Sequence, residues 1–232
     1  MDRSPEVGAG WARLAAAWCG WLLVWLVPSL LWSPHVMTLR LWLTRETAPA
    51  AVVIAAALFL SVVWPFWPRR GRSAPESEEP IGIRRLGRSV LEAVVLAVLA
   101  VPFVLVAWSV GDRTLSVGRL AVTFGIPAIF GLGLRTVAGG LGRAAAKWLM
   151  LAATLVCAGP ILLEYAAGET MGIGFPRLVE TSPVVAAVWV ALEPWPEETW
   201  LWLVRVALWP AAGVVLGIVG FWVSSRRGEV SP

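Results

Sequence analysis

Charged residues, histidine and cysteine are scarce in this chain, and their scarcity excludes several classes of protein. Only 15% of the 232 residues are charged, whereas a soluble domain carries about 25%. So little charge cannot solvate a water-exposed surface, and we expect lipid to cover much of it. The single histidine, His35, and the two cysteines, Cys19 and Cys157, lie far apart in the sequence. Metal and redox sites need such ligands at short spacing, so neither kind of site is predicted.

Catalytic motifs are also missing. The chain contains no G-x-x-x-x-G-K-[ST] phosphate loop, no H-E-x-x-H pair and no G-x-S-x-G nucleophile turn. We therefore expect no ATPase or hydrolase activity in this chain, and no cofactor. A high pI of about 10.0 indicates nucleic-acid binding in a soluble protein. Here the arginines lie beside apolar stretches, so we predict no nucleic-acid partner.

What the sequence has in abundance is long apolar stretches, since 58% of its residues are hydrophobic. A bilayer core of about 30 Å needs roughly 20 helical residues. Four uncharged stretches reach about this length, and two shorter ones reach it with the help of their ends. This predicts an all-α integral membrane protein with six spans that forms one polytopic domain over residues 1–232. The predicted spans are residues 11–32, 48–67, 90–110, 117–137, 144–167 and 199–223.

The distribution of basic residues predicts the orientation. Thirteen of the 19 lysines and arginines fall in the terminal segments and in the loops after spans two and four, and five fall in the other loops. Positively charged loops stay in the cytoplasm. We therefore expect a multi-pass protein of the plasma (inner) membrane with both termini cytoplasmic.

The predicted cytoplasmic loop, residues 69–89, ends in a stretch that mixes apolar and basic side chains. Such a pattern is typical of an interfacial helix. The stretch either anchors the orientation or docks a cytoplasmic partner. The docking residues would be Ile81, Ile83, Arg84, Arg85 and Arg88.

Charges within the spans need a partner or a path to water. Arg205 lies about 10 Å inside the last span by residue count, and Glu164 at the end of span five is its first candidate partner. Snorkelling of Arg205 to the surface is the alternative. Glu92 is expected to reach water or Arg88, four residues earlier. Arg135 is expected to extend outward from the end of span four.

Tryptophan and glycine spacing predicts two packing faces. Trp11, Trp18, Trp25 and Trp32 recur every seven residues and share one stripe of the first span. The stripe either packs against neighbouring spans or forms a lipid or ligand surface. In the last span, Gly213–Gly217 predicts a close helix contact.

Residues 182–196 form an unusual segment before the last span. Its apolar part is too short to cross a bilayer. We therefore expect a short re-entrant or interfacial helical element.

The second half of the chain resembles the membrane subunits of ABC-2-type transporters. The resemblance covers about 117–223. It depends on the Gly-rich run 131–146, on the apolar span that ends in Pro160, and on the Ser-Pro segment 182–192. In that family, two such subunits pair around a substrate path, and separate cytoplasmic ATPase subunits bind the inner loops.

The resemblance implies a permease subunit that moves an amphipathic substrate while a separate subunit hydrolyses ATP. The predicted partners are the bilayer, a cytoplasmic ATPase subunit and a second membrane subunit. The alternative is a non-catalytic scaffold or anchor in a larger membrane complex. The implied outer gate comprises Ser182, Pro183, Trp189 and Pro194.

Overall fold

Helices make up nearly all of the chain that the computed structural model describes, namely residues 4–31, 47–67, 83–111, 116–141, 143–171, 182–192 and 199–228. Within these ranges there is no strand. The helices in chain order are α1 (Ser4–Leu31), α2 (Ala48–Leu58), α3 (Ile83–Val110), α4 (Val117–Gly140), α5 (Arg143–Met171), α6 (Pro183–Leu192) and α7 (Thr199–Gly228).

Six of the described helices are long and apolar enough to cross a membrane, which confirms the predicted number. All of the long helices except α2 continue past the predicted spans, and α1 begins at Ser4 rather than at residue 11. α3 begins at Ile83 rather than at residue 90, and α7 continues to Gly228. Hydropathy marks only the part of a helix that lipid covers, whereas backbone hydrogen bonding continues into the polar flanks. The apolar segments are Gly10–Leu31, Ala48–Phe66, Leu86–Val110, Val117–Gly140, Ala144–Leu163 and Val206–Val223.

Tryptophans on α1 align it with its neighbours. The Trp18 indole N–H donates to the Leu96 carbonyl on α3 at 2.8 Å, and Trp18 also packs on the Phe59 ring at 4.8 Å. The Trp21 indole donates to the Ala55 carbonyl on α2, also at 2.8 Å. Trp18 is fully buried. Trp18 and Trp25 of the stripe therefore pack against neighbouring spans, as one of the two interpretations predicted.

These contacts also show the direction of each helix. Residue numbers rise along α1 from Trp18 to Trp21, whereas their contacts on the second span fall from Phe59 to Ala55, so these two spans are antiparallel. The start of α3 meets the end of the second span, and the end of α3 meets its start, so these two are antiparallel as well. α1 and α3 therefore run in the same direction, with α2 antiparallel to both. Six such crossings bring both chain ends to one side of the bundle, here called the terminal side.

α2 occupies the centre of the bundle. Its apolar segment is 72% buried, whereas the segments of α5 and α7 are each 11% buried. α2 is built mainly from alanine and valine, and small side chains let several helices approach it at once. α5 and α7 present large apolar side chains outward, as lipid-facing helices do.

α4 and α7 touch backbone to backbone through glycines. A Cβ on Gly133 would clash with the Gly213 carbonyl oxygen, and one on Gly213 would lie only 2.5 Å from the Ile129 carbonyl oxygen. Gly220 is equally close to the backbone of α4, but Gly217 has space for a methyl group. The predicted close contact is therefore present, with Gly220 rather than Gly217 as its second glycine.

Candidate functional site

The end of α2 is shaped by a proline. Pro65 has no N–H to donate, and the preceding turn, Phe59–Val63, widens so that the Trp64 N–H donates to the Phe59 carbonyl. A tight turn, Trp64–Phe66, then ends the helix, and Trp67 leaves in an extended conformation. Widened turns of this kind are rare in proteins, and those that occur often lie at functional sites. The result places the Trp64 side chain and carbonyl against α3 and α4.

Three buried groups from three helices meet at this point. Arg135 on α4 donates from Nη2 to Glu92 Oε2 at 2.5 Å and from Nη1 to the Trp64 carbonyl at 2.5 Å. The Trp64 indole N–H donates to the same Glu92 oxygen at 3.3 Å. The Arg135 guanidinium also lies over the Trp64 ring, 5.0 Å from its centroid. We call Glu92, Arg135 and Trp64 the ion-pair site.

The ion-pair site lies inside the membrane region on the terminal side. By residue count, Glu92 and Arg135 each lie about 8–9 Å from the terminal-side end of their span. Their side chains are 6% and 9% exposed. An unpaired charge in a bilayer costs at least about 2.5–3.5 kcal/mol. Each charge here has an opposite charge and a further polar partner, which allows both to be buried.

A fourth group extends the site toward solvent. Arg88 lies one turn before Glu92 on α3, and its Nε is 4.0 Å from Glu92 Oε1. The Arg88 side chain is 50% exposed. Glu92 is therefore shared between a buried arginine and an exposed one.

The expected contact of Glu92 with Arg88 is present, but the expected direction of Arg135 is wrong. Arg135 does not extend to the surface of the bundle, because its side chain is only 9% exposed and binds the Trp64 carbonyl and the Glu92 carboxylate. One signal could have found the pair. In the predicted spans, Glu92, Arg135 and Trp64 all lie two or three residues from the terminal-side end, and an acid and a base at one depth of a membrane protein are expected to pair.

The short helix α6 forms a second feature of interest. Ser182 precedes it and caps it, since the Ser182 hydroxyl accepts from the Val184 N–H at 3.2 Å. The same hydroxyl donates to the Cys157 carbonyl on α5 at 2.7 Å. Pro183 follows at the first helical position, where its missing N–H leaves no donor unsatisfied. These contacts fix the first turn of α6 onto α5.

α6 begins inside the bundle rather than on its surface. Cys157 lies about 9 Å before the end of its span at Leu163, so Ser182 lies at a similar depth from the side opposite the chain ends. α6 packs against α2 and α4. The predicted short element is therefore a helix inserted among the spans. Its buried residues are Pro183, Val184, Val185, Ala186, Ala187, Val190 and Ala191.

Two buried hydroxyls near the centre of the bundle lack a hydrogen bond. Ser61 lies in the widened turn of α2, where its hydroxyl faces the Cys157 thiol without hydrogen-bond geometry. Thr123 on α4 also has no hydrogen-bond partner in the described part of the chain. Buried polar groups of this kind are few in folded proteins and call for an explanation.

The remaining predicted site residues are only partly described. Trp189 lies on α6 and is half-buried. Ile81 and Pro194 lie outside the described residues. For five more residues, on α3, α5 and α7, the structure describes the backbone but not the side chain. The predicted pairing of Arg205 with Glu164 therefore stays a prediction. The five are Ile83, Arg84, Arg85, Glu164 and Arg205.

The fold and the ion-pair site define an all-helical, multi-pass membrane protein with a short inserted helix before its last span. Over the described ranges, no three histidine, cysteine, aspartate or glutamate side chains are grouped as a metal site requires. Comparisons with protein-family models, curated proteins and solved structures give no match to this chain. The resemblance to ABC-2-type membrane subunits therefore stays a prediction.

Proposed function

We propose that this chain is the permease subunit of an ABC-type transporter of the plasma (inner) membrane. It moves an amphipathic substrate across or out of the bilayer. A separate cytoplasmic subunit hydrolyses the ATP, and a second membrane subunit completes the path. In this proposal the terminal side faces the cytoplasm, as the excess of basic residues on that side supports.

The observation that carries the proposal is the inserted helix α6. Helix ends inside a bilayer are tolerated where protein buries them or where they line a cavity, because lipid offers no hydrogen bonds. Broken helices at membrane depth are a recurring feature of transporters. An anchor needs only complete spans, whereas α6 begins about 9 Å inside the bundle and is held there by Ser182 and Cys157.

The substrate class follows from the groups around α6. The helix and its neighbours α2 and α4 present an apolar interior, into which Ser61 and Thr123 place buried hydroxyls without hydrogen-bond partners in the described chain. An apolar path with a few unsatisfied hydroxyls suits a substrate that has an apolar body and a polar group. In this assignment, α6 with Ser182, Pro183 and Trp189 forms the gate on the outer side.

The docking surface for the hydrolysing subunit is the start of α3. The helix begins three residues before the apolar segment, which starts at Leu86, and Arg84 and Arg85 lie in this projecting part. Arg88 follows within the first turn of the apolar segment, and half of its side chain is exposed. A basic helix end favours an acidic partner surface.

The scaffold alternative has support of its own. Trp18 and Trp21 donate hydrogen bonds to neighbouring helices, and the glycine contact between α4 and α7 is very close. Both features describe a rigid bundle, which an anchor subunit also needs.

Purification in a mild detergent, with mass spectrometry of the co-purifying chains, separates the two functions. We expect a nucleotide-hydrolysing subunit and a second membrane subunit. Arg88→Gln should weaken recovery of the hydrolysing subunit. Arg226→Gln is the matched control, because Arg226 is an exposed arginine whose guanidinium stacks on the Trp222 ring of its own helix. Recovery of redox or assembly factors alone would favour the scaffold.

A further inference from the structure

We propose that Glu92 and Arg135 form a latch between α3 and α4. Through this latch, binding of a partner at the start of α3 changes the position of α4 and of α7. The latch rests on the proposed function, since it assigns the coupling residues of the same permease. Its members belong to the ion-pair site, which no sequence pattern brought together. Four features of the site support it in turn.

The first feature is the sharing of one carboxylate between two arginines. Glu92 Oε2 binds Arg135, and Glu92 Oε1 faces Arg88 at 4.0 Å. Arg88 is the member that a cytoplasmic partner can reach, because half of its side chain is exposed. When an acidic partner group pairs with Arg88, Glu92 loses part of its second cation. The buried pair therefore senses docking electrostatically.

The second feature is an alternative arrangement in which each charge keeps a polar partner. If the pair opens, Arg135 keeps the Trp64 carbonyl and the Trp64 ring. Glu92 keeps the Trp64 indole N–H and turns toward Arg88. Only the closed arrangement joins the two charges, but each charge keeps a polar partner in both, so a docked partner can shift the balance between the two arrangements. A buried pair with no second partners would be a fixed staple.

The third feature is the mechanical connection from Arg135 to the rest of the bundle. Arg135 lies between Gly133, which touches Gly213 of α7, and Thr136, which touches Gly220 of α7. Because the two backbones are in direct contact at both points, α4 and α7 move together. α6 packs on α4, so a shift of α4 also reaches the inserted helix.

The fourth feature is that the ion pair is not needed for stability alone. Replacing a buried ion pair by apolar residues of similar volume is often neutral or stabilising. The presence of the two charges therefore points to a role beyond packing. The latch supplies that role, because it links an exposed basic surface to helices that extend to the opposite side of the membrane.

The test uses the complex of this chain with its hydrolysing subunit, reconstituted in lipid nanodiscs. Cys19 and Cys157 are replaced by alanine, and Ser116→Cys places a thiol at the far end of α4, where Ser116 is exposed. A membrane-impermeant maleimide then measures how ATP changes the labelling rate of that thiol. The variant is Glu92→Gln/Arg135→Gln, which removes both charges and leaves no unpaired ion. Arg226→Gln is the matched control.

We expect the double variant to bind the hydrolysing subunit and to lose the ATP-dependent change in labelling, while the control keeps it. A retained change in the double variant would overturn the latch. If the double variant does not fold, Arg135→Lys takes its place. It keeps a cation opposite Glu92 but cannot bind Glu92 and the Trp64 carbonyl together, so a weaker labelling change is expected and an unchanged one overturns the latch. If no hydrolysing subunit co-purifies with the unmutated chain, the proposed function is wrong. The coupling role of the latch is then wrong as well.

Discussion

Removing one charge of the ion-pair site should destabilise the fold far more than removing both. Arg135→Ala leaves the Glu92 carboxylate buried without its nearest cation, since Arg88 is half-exposed and 4.0 Å away. Breaking a buried pair in this way costs about 3–5 kcal/mol. Chains of this length lose about 2–4 °C in melting temperature per kcal/mol. Arg135→Ala should therefore melt roughly 6–20 °C below the unmutated protein.

The double variant Glu92→Gln/Arg135→Gln should behave differently. It removes both desolvated charges, and the amide that replaces the Glu92 carboxylate can still accept from the Trp64 indole. We expect a change within about 1 kcal/mol, because the two amides can hydrogen-bond each other and the desolvation penalty of both ions is removed with their attraction. A double-mutant cycle with both Gln single variants isolates the coupling between the two positions.

The assay is thermal unfolding in nanodiscs, followed by tryptophan fluorescence. The reasoning fails if the losses of the two single variants simply add in the double variant. It also fails if Arg135→Ala has the same melting temperature as the unmutated chain, because Arg135 would then not be paired inside the bundle. Arg226→Gln, with the same loss of charge at an exposed position, loses only its contact with the Trp222 ring and should lower the melting temperature by no more than about 1–4 °C.

Three further predictions concern packing and capping. Gly213→Ala should lower stability by about 1–3 kcal/mol, because its methyl group meets the backbone of α4. Gly217→Ala is the control in the same helix and should be neutral or stabilising by up to ~1 kcal/mol; equal losses in both melting temperatures would contradict the close contact. Ser182→Ala should cost about 1–2 kcal/mol and raise hydrogen exchange in the first turn of α6, since the cap and the bond to α5 are both lost; unchanged exchange there would refute the cap. Thr123→Val should raise the melting temperature, because it removes a buried hydroxyl that has no partner in the described chain; a lower melting temperature would mean that the hydroxyl is bonded.

The sequence predicts the fold well because the bilayer fixes the length of each span. A run such as 93–111 can cross and the short run 182–192 cannot, and both outcomes follow from length and hydropathy alone. The tryptophan spacing of α1 predicted a packing face for a related reason. A stripe repeated every seven residues stays on one side of a helix whatever its neighbours are.

The ion-pair site was beyond that reasoning because hydropathy gives depth and not rotation. Arg135 lies near a span end, where snorkelling is the usual outcome. Its actual direction depends on which face of α4 meets α2 and α3. The same limit applies to the glycines of α7. Gly217 and Gly220 are the same residue type on the same helix, and only the face that each occupies decides which one touches α4. Pairing between distant helices is set by packing, which no local pattern reports.

The backbone contact between α4 and α7 has a consequence for biosynthesis. Until α7 has left the ribosome, the groove beside Gly133 on α4 is not filled by this helix. Nascent chains that stop before residue 199 would present that groove to lipid and to membrane proteases. Quality control should therefore degrade such truncated products quickly, although five of the six hydrophobic segments have already been inserted.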